Sequence, residues 1–498
     1  MISRLGLLLA LASIVGMAAC GGNGGSGSST VTSVSVTCSP SSVTSGGTSQ
    51  CSATVNGTGN FSTAVNWHAS AGSISSAGLL MAPTVTTSLV DTVTATSAQN
   101  SGVAGTATVT VNVTSANVAP IIVDAGPQPQ TFTSTNVAFV TVTVCVPGTS
   151  NCQNIDHIMV DTGSFGLRLM SSASGGELNL SLPTENDSSG NPLDECLVFL
   201  DGFIWGPIQT ANVSIAGESA NNVPVQLIIP SSSSPAVPSS CSSQNPSGGT
   251  GNEGNSLQAF GANGIIGVGV FPLDCGAACT SQNSSPPDQY YDCPSSGTCT
   301  PTFVTLTQQV PNPVTLFTST GDDNGVLIQL PSVPDGGSAD VNGSLIFGIG
   351  TQSNNGLGSV QVYGLNNNAD FTTTFNGSTY PGFVDSGSNG FFFQDSSIST
   401  CPSPNQEWYC PSNSPDSLSA GNQGTNMSSP VTVNFSIENA DSLFSGSNTA
   451  FSTLGGTYPG TPAGFDWGLS FFYGRNPGVF TAIDGAPTPV GSGPYFAF

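Results

Sequence analysis

From Asn117 to Phe498 the apolar residues come in runs of four to eight, broken by Gly, Pro, Asn and Ser, and almost nowhere at a 3.6-residue spacing. Short apolar runs bounded by turn residues mark strands, whereas a helix needs the longer repeat. The helix formers Lys, Arg and Glu are scarce throughout, so local propensity does not favour helices. An all-β chain follows. The stretch is too long for one sandwich, so a large two-lobed β architecture is expected.

Charge narrows the chemistry. The basic residues are Arg4, Arg168 and Arg475, there is no Lys, and 28 acids bring the formal net charge to −25. Nucleic-acid binding relies on Lys and Arg against phosphate, so no nucleic-acid partner is expected. P-loop, Schiff-base and pyridoxal chemistry each need a Lys and are excluded with it. His68 and His157 are the two histidines. They leave little room for a His-rich zinc centre or a Ser–His–Asp triad, so no metal and no cofactor are expected. Carboxylate chemistry remains. His68 beside Trp67 reads as a strand residue, and His157 as a structural strand-end histidine.

Residues 1–20 read as a secretory signal, with one Arg ahead of an apolar run from Leu5 to Met17. Met17-Ala18-Ala19-Cys20 resembles a bacterial lipobox, which implies lipidation of Cys20 and a membrane anchor. Residues 21–30 form a Gly- and Ser-rich tether. The expected location is the bacterial cell envelope, extracytoplasmic and lipid-anchored, either periplasmic or at the cell surface. Setting Cys20 aside leaves 12 cysteines, an even number in an exported chain. Cys38/Cys51, Cys145/Cys152 and Cys401/Cys410 are close pairs, and Cys196 and Cys241 are left for each other. Cys275, Cys279, Cys293 and Cys299 form a cluster that reads as disulfides rather than a zinc site, with the pairing open.

Residues 31–114 carry alternating apolar residues, such as Val34 and Val36, at sandwich spacing. The phrase VNWHASAGSISSAGLLMAP resembles small bacterial immunoglobulin-like domains, which implies a β-sandwich acting as a spacer.

A repeated local pattern carries the functional reading. In His157-Ile158-Met159-Val160-Asp161-Thr162-Gly163-Ser164-Phe165, apolar strand residues deliver an Asp, and Thr, Gly and Ser follow it. Gly382-Phe383-Val384-Asp385-Ser386-Gly387-Ser388-Asn389-Gly390-Phe391 repeats the arrangement. Two carboxylates brought together cannot both ionise, so one acts as base on a trapped water and the other as acid toward a carbonyl. Thr162 and Ser386 have hydroxyls to bond across to the opposite loop, and Gly163 and Gly387 permit close approach. Ser164 and Ser388, three residues after each Asp, can bond the outer carboxylate oxygen.

These residues resemble the pepsin-like aspartic proteases. The likeness extends to Asn263-Gly264-Ile265-Ile266-Gly267-Val268-Gly269, Gly343-Ser344-Leu345-Ile346-Phe347-Gly348, Trp467-Gly468-Leu469-Ser470-Phe471-Phe472 and Val479-Phe480-Thr481-Ala482-Ile483-Asp484. It implies an all-β fold: a bilobal pepsin-like double β-barrel with lobes at 115–316 and 317–498, preceded by the immunoglobulin-like β-sandwich. It also implies Asp161 and Asp385 as the catalytic dyad of an aspartic endopeptidase acting on a peptide or protein substrate, in a chain expected to be a monomer. The flap of that family carries a Tyr; the hairpin from Phe199 through Gly202 to Gly206 puts Phe199 in its place. Arg168 stands where the family usually has Trp. The alternative is a non-catalytic pepsin-like surface protein that binds peptide or polysaccharide. Asp322, Asp323 and Asn324 read as an interlobe turn rather than a cation site, and Arg475 as a partner of local acids or a turn cap.

Overall fold

The computed structural model describes residues 29–498, apart from 45–46, 84, 86–87, 113–115, 129–132, 245–251, 282–283 and 296. The signal segment, Cys20 and the tether up to residue 28 lie outside the described residues. The chain divides into two compact units, with the break between Thr114 and Ser115.

In the first unit, Thr30–Ser39, Thr48–Thr58, Leu79–Met81 and Ser73–Ile74 form one sheet. Ser42–Thr44, Ala104–Asn112, Leu89–Ser97 and Val65–Ala69 form the other. The alternation in Leu89–Ser97 buries Asp91, Val93, Ala95 and Ser97 on one face, the period of a half-buried strand. Val43, Val93, Val109 and Val111 pack with Cys51 and Leu80 of the facing sheet, so the unit is a β-sandwich. His68 is exposed on the Val65–Ala69 strand.

The second unit repeats one local topology. The Cys152–Asp161 strand runs into the first Asp loop, and Phe165–Met170 leaves it. Gly264–Val268 lies between them, parallel to the first and antiparallel to the second. In the other half, Ser378–Val384 enters the second loop, Phe391–Phe393 leaves it, and Phe465–Trp467 lies between with the same two senses. The two central strands, Gly264–Val268 and Phe465–Trp467, are buried along their whole length, which is why no clean alternation runs through them. The all-β, two-lobed expectation is met in this form.

One strand ties the halves together. Val118–Val123 pairs antiparallel with Ala138–Cys145 on one side and with Val341–Phe347 on the other. A continuous apolar core runs through both, from Ile121, Val142, Val160 and Ile266 to Phe347, Val384 and Trp467. Behind the second loop the core is aromatic: Phe465 and Trp467 have ring centroids 4.6 Å apart, and Phe393 stacks on Phe465 at 5.1 Å. Each such buried ring contributes on the order of 2 kcal/mol by removal from water. That rigid backing fixes where Asp385 is delivered.

Six disulfides join Cys38–Cys51, Cys145–Cys152, Cys196–Cys241, Cys275–Cys279, Cys293–Cys299 and Cys401–Cys410. The open cluster thus resolves into two sequence-adjacent pairs. Bonds of this number persist in an oxidising, extracytoplasmic compartment. Among the described residues no helix is long and apolar enough to cross a membrane.

Candidate active site

Asp161 ends its strand opposite Gly267, and Asp385 follows Val384, which faces Trp467. The loops beyond them meet through four reciprocal hydrogen bonds. Thr162 Oγ1 donates to the Val384 carbonyl at 2.9 Å and accepts from the Ser386 amide at 2.9 Å. Ser386 Oγ donates to the Val160 carbonyl at 2.7 Å and accepts from the Thr162 amide at 3.1 Å. Each hydroxyl thus serves as both donor and acceptor to the opposite loop. Both residues are buried, so losing a partner would strand a desolvated amide or carbonyl.

The grip brings the carboxylates together. A Cβ on Gly163 would lie 2.7 Å from Asp385 Cγ, and one on Gly387 would lie 2.7 Å from Asp161 Cγ. Each loop's glycine therefore packs on the other loop's acid, and any Cβ there would force that acid to shift. The Gly163 amide donates to Asp161 Oδ1 at 2.7 Å and the Gly387 amide to Asp385 Oδ1 at 2.8 Å. Asp161 is 5% exposed and Asp385 is half-buried, while Gly163 is exposed and Gly387 half-exposed, so the pair faces solvent across the glycines.

The symmetry fails at the serines. Ser388 Oγ donates to Asp385 Oδ2 at 2.9 Å, whereas Ser164 Oγ is buried with no partner and does not bond Asp161. The expectation that both serines hold their acids is corrected to Ser388 alone. Burial first, and then the adjacent Asp161, push the Asp385 carboxyl well above the usual carboxylate range, against the opposing donors Ser388 and Gly387.

The first loop is braced from behind by Arg168, which is fully buried. Its guanidinium donates to both Glu195 oxygens at 3.2 and 2.7 Å, to Asp274 Oδ2 at 3.0 Å and to the Phe165 carbonyl at 2.5 Å. Glu195 belongs to the Leu193–Val198 strand, which forms a hairpin with Gly202–Ile215. One cation therefore links the exit of the Asp161 loop to that hairpin. Asp274 also accepts from Tyr290 Oη. Burial, then the Glu195 charge, push Asp274 well above its ordinary value.

Phe199 and Gly202 form the hairpin turn, with the Phe199 amide donating to the Gly202 carbonyl at 2.7 Å. The Phe199 ring packs toward Phe260, with centroids 6.4 Å apart, beside Met170, Ile204 and Ile228. His157 pairs with Asp156 at 2.8 Å and Asp124 at 3.3 Å on the entering strand. Arg475 caps the Phe471 carbonyl at 2.9 Å and lies 3.8 Å over the Phe471 ring; it makes no ion pair among the described residues. Asn324 donates to the Ile349 and Pro487 carbonyls, bracing the turn that leads into Gly325–Gln329.

Two residues the motifs did not single out belong to the site. Asn136 donates to the Asn389 carbonyl at 2.6 Å and the Phe451 carbonyl at 2.7 Å, and Asn389 returns a bond to the Thr135 carbonyl. It pins the second loop to the first half. Asp466 is 1% exposed within the Phe465–Trp467 strand. An acid inside a Phe-Asp-Trp run was the available sequence signal.

The family described as "Protein of unknown function (DUF3443)" matches residues 113–498. The chain belongs to this family. No curated protein matches the DUF3443 chain. Among solved structures it is similar to the aspartic proteinase from Irpex lacteus, with 15% identity and a TM-score of 0.45, over 76% of this chain and 96% of that one.

Proposed function

We propose that this DUF3443 protein is an extracytoplasmic aspartic endopeptidase, with Asp161 and Asp385 activating a water between them. The supporting observation is the reciprocal four-bond grip that sets two carboxylates face to face, each packed on the other loop's glycine. In the singly protonated pair the carboxylate takes a proton from the water while the carboxylic acid donates to the substrate carbonyl. The attack yields a tetrahedral diol, and return of a proton to the leaving amine completes hydrolysis. No charge need be created on the protein, which suits a site without Lys or His.

The first unit serves as an immunoglobulin-like spacer and Cys20 as the lipid anchor in the same proposal, with a peptide or protein as substrate. The test is digestion of an unstructured peptide library by the purified protein from pH 3 to pH 8, beside Asp385→Asn. The reading expects cleavage that peaks in acid, falls at least about a thousandfold in the variant, and is blocked by a statine-type inhibitor. Equal cleavage by the variant would refute it. Phe199, which has no hydroxyl, favours a second reading: a non-catalytic scaffold binding peptide or polysaccharide. Library peptides bound but left intact at every pH would support it.

A further inference from the structure

Past each dyad aspartate, at the same distance along the chain, a backbone carbonyl is held by a fully buried side chain. The Phe165 carbonyl, four positions after Asp161, accepts from Arg168 Nη1 at 2.5 Å. The Asn389 carbonyl, four positions after Asp385, accepts from Asn136 Nδ2 at 2.6 Å. Each of these carbonyls is followed by a glycine, Gly166 or Gly390. A Cβ on Gly166 would lie 2.9 Å from Arg168 Nη1, and one on Gly390 would lie 2.7 Å from the Leu454 carbonyl oxygen. The serine carbonyls one step earlier are held by backbone instead: Ser164 accepts from the Gly269 amide at 3.0 Å and Ser388 from the Leu469 amide at 2.7 Å. The donors at the next step share neither chemistry nor origin. One is a cation from the strand leaving its own loop, and the other an amide from 253 positions away.

Both donors are locked in place. Arg168 gives Nε and Nη2 to Glu195 and Nη2 also to Asp274, which leaves Nη1 for the Phe165 carbonyl. Asp274 is held in turn by Tyr290 Oη, which accepts from the Val310 amide at 2.8 Å. Asn136 has φ 52°, a left-handed conformation that Asn tolerates better than most side chains. Its Oδ1 accepts from the Phe451 amide at 2.6 Å and from Tyr473 Oη at 3.1 Å. Its Nδ2 donates also to the Phe451 carbonyl at 2.7 Å and to Ser470 Oγ at 3.0 Å. Arg168 and Asn136 are both 0% exposed. Apolar side chains would fill such places without the cost of desolvating a guanidinium and an amide, whereas a fully bonded polar network fixes one arrangement.

We propose that Arg168 and Asn136 are paired positioning residues of the dyad: each anchors the peptide four residues past one aspartate, and together they set the two carboxyls in register. The hydroxyls of Thr162 and Ser386 tie the loops to each other. Arg168 ties the Asp161 loop, and Asn136 the Asp385 loop, to the body of the unit behind it. Through Asp274 and Tyr290, the disulfide-bearing segment from residue 274 to 299 belongs to the support of the first loop.

The inference rests on the protease reading for its kinetic test, and a second readout is independent of cleavage. Arg168→Lys keeps a cation for Glu195 and Asp274 but lacks the fork that also reaches the Phe165 carbonyl. Asn136→Asp keeps the shape, the acceptor and the tolerance of the left-handed backbone, and loses the N–H donor. In each full-length variant, kcat on an unstructured peptide should fall at least about tenfold with KM within about twofold, the mark of misplaced reacting groups. The Asn136→Asp loss should be smaller at pH 4 than at pH 6, because a protonated carboxyl can still donate to the Asn389 carbonyl and an ionised one cannot. Hydrogen exchange at pH 6 should separate the loops. Arg168→Lys should speed exchange in residues 162–168 at least about fivefold and leave 386–390 within about twofold, and Asn136→Asp should do the opposite. Unchanged kcat in both variants, or exchange that rises alike in both loops, overturns the proposal. Cleavage by the wild type with either of those results would sink this inference and leave the protease reading standing. Loop-selective exchange in a protein that cuts no peptide would uphold the anchoring and sink the protease reading.

Discussion

Asp194→Asn should make the protein more stable at neutral pH and leave it unchanged in acid. Asp194 lies on the Leu193–Val198 strand with 1% exposure, and neither carboxylate oxygen has a partner. Burial alone raises its pKa from 3.8 to about 7. The folded state therefore keeps a proton that the unfolded chain gives up above pH 4. That contribution to stability is complete below pH 4, is lost as pH rises toward 7, and stays lost above it. A gap of roughly three pH units corresponds to about 4 kcal/mol. Asn cannot ionise, so its stability should not decline over that window. Urea unfolding at pH 4, 6 and 8, with disulfides intact, measures the difference. The two proteins should agree within about 1 kcal/mol at pH 4, and Asn should lead by about 4 kcal/mol at pH 8. A difference that does not change with pH would refute the reasoning. Glu218, also pushed up to about 7, first by burial, shifts stability in the same direction. Both groups therefore make their full contribution to stability only in acid.

Other substitutions test the remaining contacts. Arg168→Met leaves Glu195 and Asp274 buried without their cation and should cost about 3–5 kcal/mol in chemical denaturation. Gly163→Ala forces a methyl against the Asp385 carboxyl, so kcat should fall at least about tenfold while unfolding changes by only about 1–3 kcal/mol. Thr162→Val removes one donor and strands the Ser386 amide, and should lower stability by about 2–3 kcal/mol together with activity. Replacing Cys196 and Cys241, 45 residues apart, by Ser should destabilise by about 4 kcal/mol; the same change at Cys145 and Cys152, 7 apart, should cost roughly 2–3 kcal/mol.

What could be read in the sequence was local. Each Asp loop is a contiguous run whose hydroxyl and glycine positions follow from the bonds a close pair of acids needs, so Thr162, Gly163, Ser386 and Gly387 were legible before any coordinates. Close cysteine spacing indicated three disulfides, and Cys196–Cys241 followed by elimination. Spacing could not choose among pairings of Cys275, Cys279, Cys293 and Cys299. What the chain hid was long-range. Arg168 meets Glu195 and Asp274 across 27 and 106 positions, and no periodicity encodes that. Val118–Val123 bridges the halves by pairing with Val341–Phe347, a register set by tertiary packing. Ser164 and Ser388 hold the same place in matching motifs, yet only Ser388 bonds its aspartate, a difference the motifs themselves do not show.

The account rests on two acids sharing one proton and one water. The most direct measurement is the pH profile of kcat/KM on a single cleaved peptide, for the wild type, Asp161→Asn and Asp385→Asn. A bell-shaped profile for the wild type, with both variants reduced to background across the whole range, is the predicted result. Either variant retaining the wild-type profile would contradict it.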